Sequence, residues 1–127
     1  MAADGVGADG TVIAGCNVES ASFGLTVCAE RVAMFKALSD GHRVFRRIAI
    51  VADTPVPTAP CGPCRQILWE YGGDLDVILA NLYEETGRHR LRELLPVPFD
   101  AGTLRSGGSR AALKAGTTGD AVKRRRR

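Results

Sequence analysis

An α/β domain with helices packed on a sheet is the fold class this sequence predicts, and three observations predict it. Residues 46–52, apolar behind two arginines, and residues 76–80, apolar after Asp76, are runs of strand length of the kind found in sheets covered on both faces. Residues 27–38 and 61–71 have helical composition and stop at Asp40-Gly41 and Gly72-Gly73. With a further short strand at residues 11–16, the order becomes strand, helix, strand, helix, strand, which implies a layered α/β domain.

Residues 1–10 read as a poor strand and a poor helix. Gly5, Gly7 and Gly10 lose the most entropy on ordering, and Asp4 and Asp9 compete for backbone hydrogen bonds. The Asp9-Gly10 turn signal then opens the strand at residues 11–16. Thr26 is the expected N-cap of the first helix, which places Cys28 in its first turn. Pro55, Pro57 and Pro60 force a loop after the strand at residues 46–52. The second helix starts at Cys61 or Gly62, with Pro63 tolerated in its first turn. Residues 91–95 make a short helix stopped by Pro96.

The chain of 127 residues, 45% of them hydrophobic, suits one domain with its own core. That domain is expected over residues 1–100. Residues 101–127 carry eight Lys/Arg against Asp120, a charge of +7, and little that could be buried, so they read as a disordered basic tail. The total of +3 therefore leaves −4 on residues 1–100, and this body presents no basic face for a nucleic-acid backbone. No apolar run reaches bilayer length and the start has no secretory pattern, so the expected location is the cytosol, where thiols stay reduced.

Chemistry concentrates in Cys28-Ala29-Glu30 and in Pro60-Cys61-Gly62-Pro63-Cys64. Three cysteines offer thiolates to one Zn²⁺ and leave a fourth position open, as catalytic zinc sites do and structural ones do not. Two helix starts aimed at the metal bring positive dipole ends to the sulfurs, and Arg31 can add a full positive charge beside them. Glu30 is not a ligand but a proton carrier: it can take a proton from water at the open position and pass protons to a substrate nitrogen and a departing amine. Such a site performs hydrolytic deamination, as in the zinc nucleobase deaminases.

The stretch Gly15-Cys16-Asn17-Val18-Glu19-Ser20-Ala21-Ser22-Phe23-Gly24-Leu25-Thr26-Val27-Cys28-Ala29-Glu30-Arg31 closely resembles the small three-cysteine cytidine deaminases of nucleoside salvage. So does Ala59-Pro60-Cys61-Gly62-Pro63-Cys64-Arg65-Gln66, and Glu93-Leu94-Leu95-Pro96 followed by Phe99 looks like that family's closing segment. The resemblance implies a three-layer cytidine-deaminase-like fold, a mixed sheet with helices on both faces, one Zn²⁺ per subunit on Cys28, Cys61 and Cys64, and Glu30 as proton shuttle. It implies that Asn17 and Glu19 bind the ribose 3′-hydroxyl and that the Ala29 backbone reads the pyrimidine edge. Phe99 would stack on the base in a neighbouring subunit of a homotetramer. Family members usually begin with a helix and then a strand bearing a Phe-x-Val-Gly-Ala type motif. This sequence shows neither, which implies an N-terminally shortened domain whose internal first strand is missing or degenerate. Ser20 and Phe23 stand where the family commonly has asparagine and tyrosine.

The implied reaction converts cytidine or deoxycytidine to its uridine counterpart and ammonia. A modified nucleoside such as blasticidin S is the alternative substrate. A second class is a non-enzymatic zinc protein, in which Cys16 closes an inert four-cysteine clip. A redox role for Cys61 and Cys64 leaves Cys28 and Glu30 unexplained, and nucleic-acid editing rests on the tail alone. Phe99 reads equally as an apolar anchor of the last turn.

Overall fold

The structure is a computed structural model of the chain and describes residues 2–7, 9–100, 102 and 104. Its centre is a five-stranded mixed sheet of β1 (Ala2–Gly7), β2 (Val12–Cys16), β3 (Phe45–Val51), β4 (Asp76–Ala80) and β5 (Glu85–Arg90), in the order β2-β1-β3-β4-β5. Only β3 and β4 run parallel, and their connection contains a helix, as a parallel crossover requires. The helices are α1 (Ala29–Ser39), α2 (Gly62–Gly72) and α3 (Leu91–Leu94). No helix among the described residues is long and apolar enough to cross a membrane.

The apolar runs fold as expected. Ile48 and Ile50 of β3 and Val77 and Leu79 of β4 are buried at alternate positions, so one face of the sheet meets Ala29, Ala33 and Met34 of α1 and Leu68 of α2. Leu75 and Leu91 complete this cluster. Ala49, Val51, Ile78 and Ala80 point the other way and are only half-buried. The three described helices all feed the one cluster; a second helical layer on the opposite face is not among the described residues. Leu68 is fully buried in α2, so Leu68→Ala should cost about 2–5 kcal/mol in urea unfolding, from lost transfer energy and the cavity left behind.

Two expectations are corrected. Residues 2–7 form a strand, and it occupies an internal position, paired antiparallel with β2 on one side and β3 on the other. Its strand character comes from main-chain bonding to two partners, a tertiary term that overrides the weak propensity of glycine and aspartate. The sheet is thus continuous from β2 to β3. The strand β5 was not expected at all, because Glu85–Arg90 is polar and shows no apolar alternation. It is an edge strand set by the turn before it: Asn81 Oδ1 accepts from the N–H groups of Tyr83 (2.8 Å) and Glu84 (2.9 Å). Arg90 then fastens it, donating to Asp76 Oδ1 at 2.7 Å and to the carboxylate and carbonyl of Asp74.

Helix ends follow the sequence more closely. Past α1 the chain turns at Gly41, whose φ of 94° suits glycine, and Gly73 caps α2 with its N–H on the Trp69 carbonyl. Apart from positions 102 and 104, the expected tail lies outside the described residues.

Candidate metal centre and its surroundings

Both long helices begin at a cysteine. Cys28 is the N-cap of α1, with φ −67° and ψ 153°, and Cys61 is the N-cap of α2, with φ −66° and ψ 166°. Cys64 sits in the first turn of α2 and is buried. This corrects the expected cap: Thr26 does not start α1, and its hydroxyl accepts instead from the Ser20 N–H at 3.1 Å. The ladder contact between Val18 and Val27, with two backbone bonds of 2.9 Å, carries the chain two residues further before the helix opens.

The sulfurs of Cys28, Cys61 and Cys64 all lie within 4.8 Å of one another, and those of Cys28 and Cys61 are 3.8 Å apart. Two sulfurs held at about 2.3 Å on one tetrahedral zinc would be about 3.8 Å apart, so this donor set fits the metal. All four cysteines are free thiols, and Cys16 is exposed at the end of β2. It is not in the ligand cluster found among the described residues, so the closed four-cysteine clip does not form there.

The thiols of Cys61 and Cys64 are shifted in opposite directions. Burial pushes Cys64 well above the ordinary thiol range, helped by its bond to Cys61 and by the Glu30 charge. Burial also acts on Cys61, but the Cys64 backbone N–H and the thiols of Cys64 and Cys28 outweigh it and hold Cys61 below its usual value. Arg31 faces the cluster as expected: its guanidinium donates to Cys28 Sγ at 3.9 Å and to the Thr26 carbonyl at 3.3 Å. Its bond to Cys28, then its bond and attraction to Cys64, raise its pKa above the usual arginine value.

Glu30 follows the cap by two residues and is 1% exposed. It is the one buried charged side chain among the described residues, and its Oε2 has no hydrogen-bond partner. An unpartnered buried carboxylate oxygen is costly in a folded chain. Its cost is understandable where water and substrate are the intended partners.

The remaining expected residues are placed as follows. Asn17 Oδ1 accepts from the Ala29 N–H at 2.9 Å, and Asn17 Nδ2 lies 3.5 Å from Glu19 Oε1. Thus Asn17, Glu19 and Ala29 gather at the start of α1, with the Ala29 N–H already engaged. Phe99 is 62% exposed and lines a cleft with Trp69, Glu70, Gly73 and Asp100, which contains none of the three cysteines. Sequence reasoning gave no role to Arg65 or Gln66, although both lie in the quoted motif. Arg65 donates to the carbonyls of Pro60 and Leu94, each at 2.7 Å, and Gln66 Nε2 donates to the Phe99 carbonyl at 2.7 Å. They tie the start of α2 to α3 and to the segment bearing Phe99.

Residues 1–80, well over half the chain, match the family described as the cytidine and deoxycytidylate deaminase zinc-binding region. The chain belongs to that family. The matched span includes β1 and all three clustered cysteines. Among relatives of this deaminase family, the chain is 51% identical over 94 residues to a cytidine deaminase of Halalkalibacterium halodurans, covering 73% of this chain and 71% of that one. It is 47% identical over 92 residues to a cytidine deaminase of Sporosarcina psychrophila, covering 72% and 68%. The fold is similar to the crystal structure of cytidine deaminase from Burkholderia pseudomallei, with a TM-score of 0.74 at 46% identity over 77% of this chain and 80% of that one.

Proposed function

We propose that this chain is a zinc-dependent hydrolase that deaminates free cytidine or deoxycytidine, yielding uridine or deoxyuridine and ammonia. The observation that carries the reading is the buried Glu30 carboxylate, one oxygen of it unpartnered, at a helix start whose cap sulfur lies 3.8 Å from that of Cys61 and within 4.8 Å of that of Cys64. When bound, zinc supplies a Lewis acid that makes water reactive near neutral pH.

The chain's own residues do the rest. Cys28, Cys61 and Cys64 would hold the metal, three ligands rather than the four of a closed structural site. Glu30 takes a proton from the attacking water and gives it to the ring nitrogen beside C4, then takes the remaining proton of the new C4 hydroxyl and gives it to the departing amine. The water oxygen remains on C4, and the amino group leaves as ammonia. Arg31 draws negative charge from the sulfurs, which preserves the metal's pull on water. Glu19 and the Nδ2 of Asn17 offer an acceptor and a donor to a sugar hydroxyl.

The same reading places the active protein in the cytosol as a homo-oligomer, a tetramer in which Phe99 stacks on a base bound by a neighbouring subunit. Supporting this are the exposure of Phe99 and the exposed Phe23 and Leu25, 89% and 70%, on the turn leading into α1. Large apolar side chains exposed to this degree suit an interface.

Parallel ammonia-release assays of the zinc-loaded protein on cytidine, deoxycytidine and blasticidin S test the proposal. Turnover of cytidine or deoxycytidine is expected. Preference for blasticidin S would overturn the substrate, and no turnover of any of the three would overturn the enzyme.

A further inference from the structure

We propose that Asn17 is a positioning residue for the catalytic end of α1, accepting at β2's exit a hydrogen bond from the first of the helix-start N–H groups, where Cys28 makes no side-chain cap bond. This rests on the zinc deaminase reading, and it divides the Asn17 amide into two halves with separate tasks.

The first N–H groups of a helix have no partner within it, and the side chain of the N-cap residue commonly accepts from one of them. In α1 the N-cap is Cys28, and it makes no such side-chain bond. Its sulfur instead belongs to the three-cysteine cluster, 3.8 Å from Cys61 Sγ. A thiolate that ligates a metal is a poor source of a cap. The first helical N–H, that of Ala29, donates to Asn17 Oδ1 at 2.9 Å, reaching back twelve residues in sequence.

Two features hold Asn17 where it can do this. The Val18–Val27 bridge sets Asn17 and Cys28 on its two sides, so the strand exit and the helix start are fixed together. Gly15, two residues before Asn17, lies directly on the first turn of α1. A Cβ there would stand 2.5 Å from the Ala33 nitrogen and 2.7 Å from the Ala29 oxygen, both backbone atoms that cannot swing away. The missing side chain lets β2 approach the helix closely enough for one asparagine to span the gap. Because Cys28 and Glu30 flank Ala29, a shift of this N–H moves a metal ligand and the proton carrier together.

The amide nitrogen faces the other way, 3.5 Å from Glu19 Oε1, and is the half left for a sugar hydroxyl. Asn17→Ala removes both halves. Asn17→Asp keeps an oxygen for the Ala29 N–H and loses the donor.

The test measures zinc affinity by competition with a chromophoric chelator, the absorption bands of the cobalt(II)-substituted protein, and kcat and KM separately on cytidine. Asn17→Ala should lower zinc affinity and kcat about 10–100-fold, the usual cost of losing a residue that orients a metal site, and should shift the cobalt bands. Asn17→Asp should return affinity, bands and kcat towards wild type while KM stays raised. Should Asn17→Ala not fold, Asn17→Ser, whose oxygen is too short to reach Ala29, replaces it. Raised KM in both variants with unchanged cobalt bands and kcat would overturn the proposal and leave Asn17 as a substrate contact only. The metal and cobalt measurements need no substrate, so they decide the matter even if the wild-type protein fails to deaminate cytidine.

Discussion

Glu30→Gln should keep one zinc per chain and lose about 10²–10⁴-fold in kcat on cytidine, the range spanned by a positioned proton carrier. Glutamine has the shape of glutamate and preserves a hydrogen-bonding end, but it cannot accept and return a proton. The substitution separates chemistry from architecture because Glu30 is absent from the sulfur cluster, although its neighbour but one, Cys28, belongs to it. Stability should stay level or rise. The wild-type carboxylate is 1% exposed with one oxygen unpartnered, so replacing it removes a buried acidic group whose hydrogen bonding the free chain does not complete. Metal analysis, kcat and a urea midpoint measured on one preparation check all three statements. Turnover near the wild-type rate would reject Glu30 as the proton carrier.

The combination expected, lower activity with equal or greater stability, is the signature of a residue kept for function. It also explains the surroundings of Glu30. Three thiolates on one Zn²⁺ give a net negative cluster, which weakens the metal's effect on water. Opposing this are the two helix starts, one at Cys28 and one at Cys61, and the Arg31 guanidinium on Cys28. The Cys64 N–H, at the start of α2, lowers Cys61 in the same way.

Much of this arrangement was legible in the sequence because it rests on local signals. Apolar runs bounded by turns gave β3 and β4, and the glycines after Tyr71 gave the end of α2. What was hidden depends on contacts between distant residues. Ala2–Gly7 has little strand propensity and forms a strand because β2 and β3 pair with it on both sides. Glu85–Arg90 carries no alternation, and it is held by Asn81 and Arg90 rather than by apolar burial. At the site, cysteine spacing singled out the three sulfurs that the fold brings together. Cap preference, however, pointed to Thr26, whereas the cap on Ala29 comes from Asn17 across a bridge no local rule anticipates.

Cys28→Ser should abolish stable zinc binding, whereas Cys16→Ser should leave one zinc per chain and full turnover. The two cysteines stand on either side of the same loop, yet only Cys28 joins the sulfurs of Cys61 and Cys64. A serine hydroxyl at position 28 is neutral near pH 7 and shorter than a thiolate, so the metal would keep two soft ligands where it needs three. The loss reaches beyond the metal. Cys28 begins α1 and Cys61 begins α2, so zinc bound across them fastens one helix to the other, and its binding energy adds to folding. Cys28→Ser should therefore also lower Tm to that of the chelated wild-type protein, with chelator then having no further effect. Cys16→Ser changes an exposed side chain outside the cluster and should keep the wild-type Tm and its sensitivity to chelator. Equal zinc loss in both variants would mean a closed four-cysteine site with no position for water, and a chain so built could hold zinc but not use it.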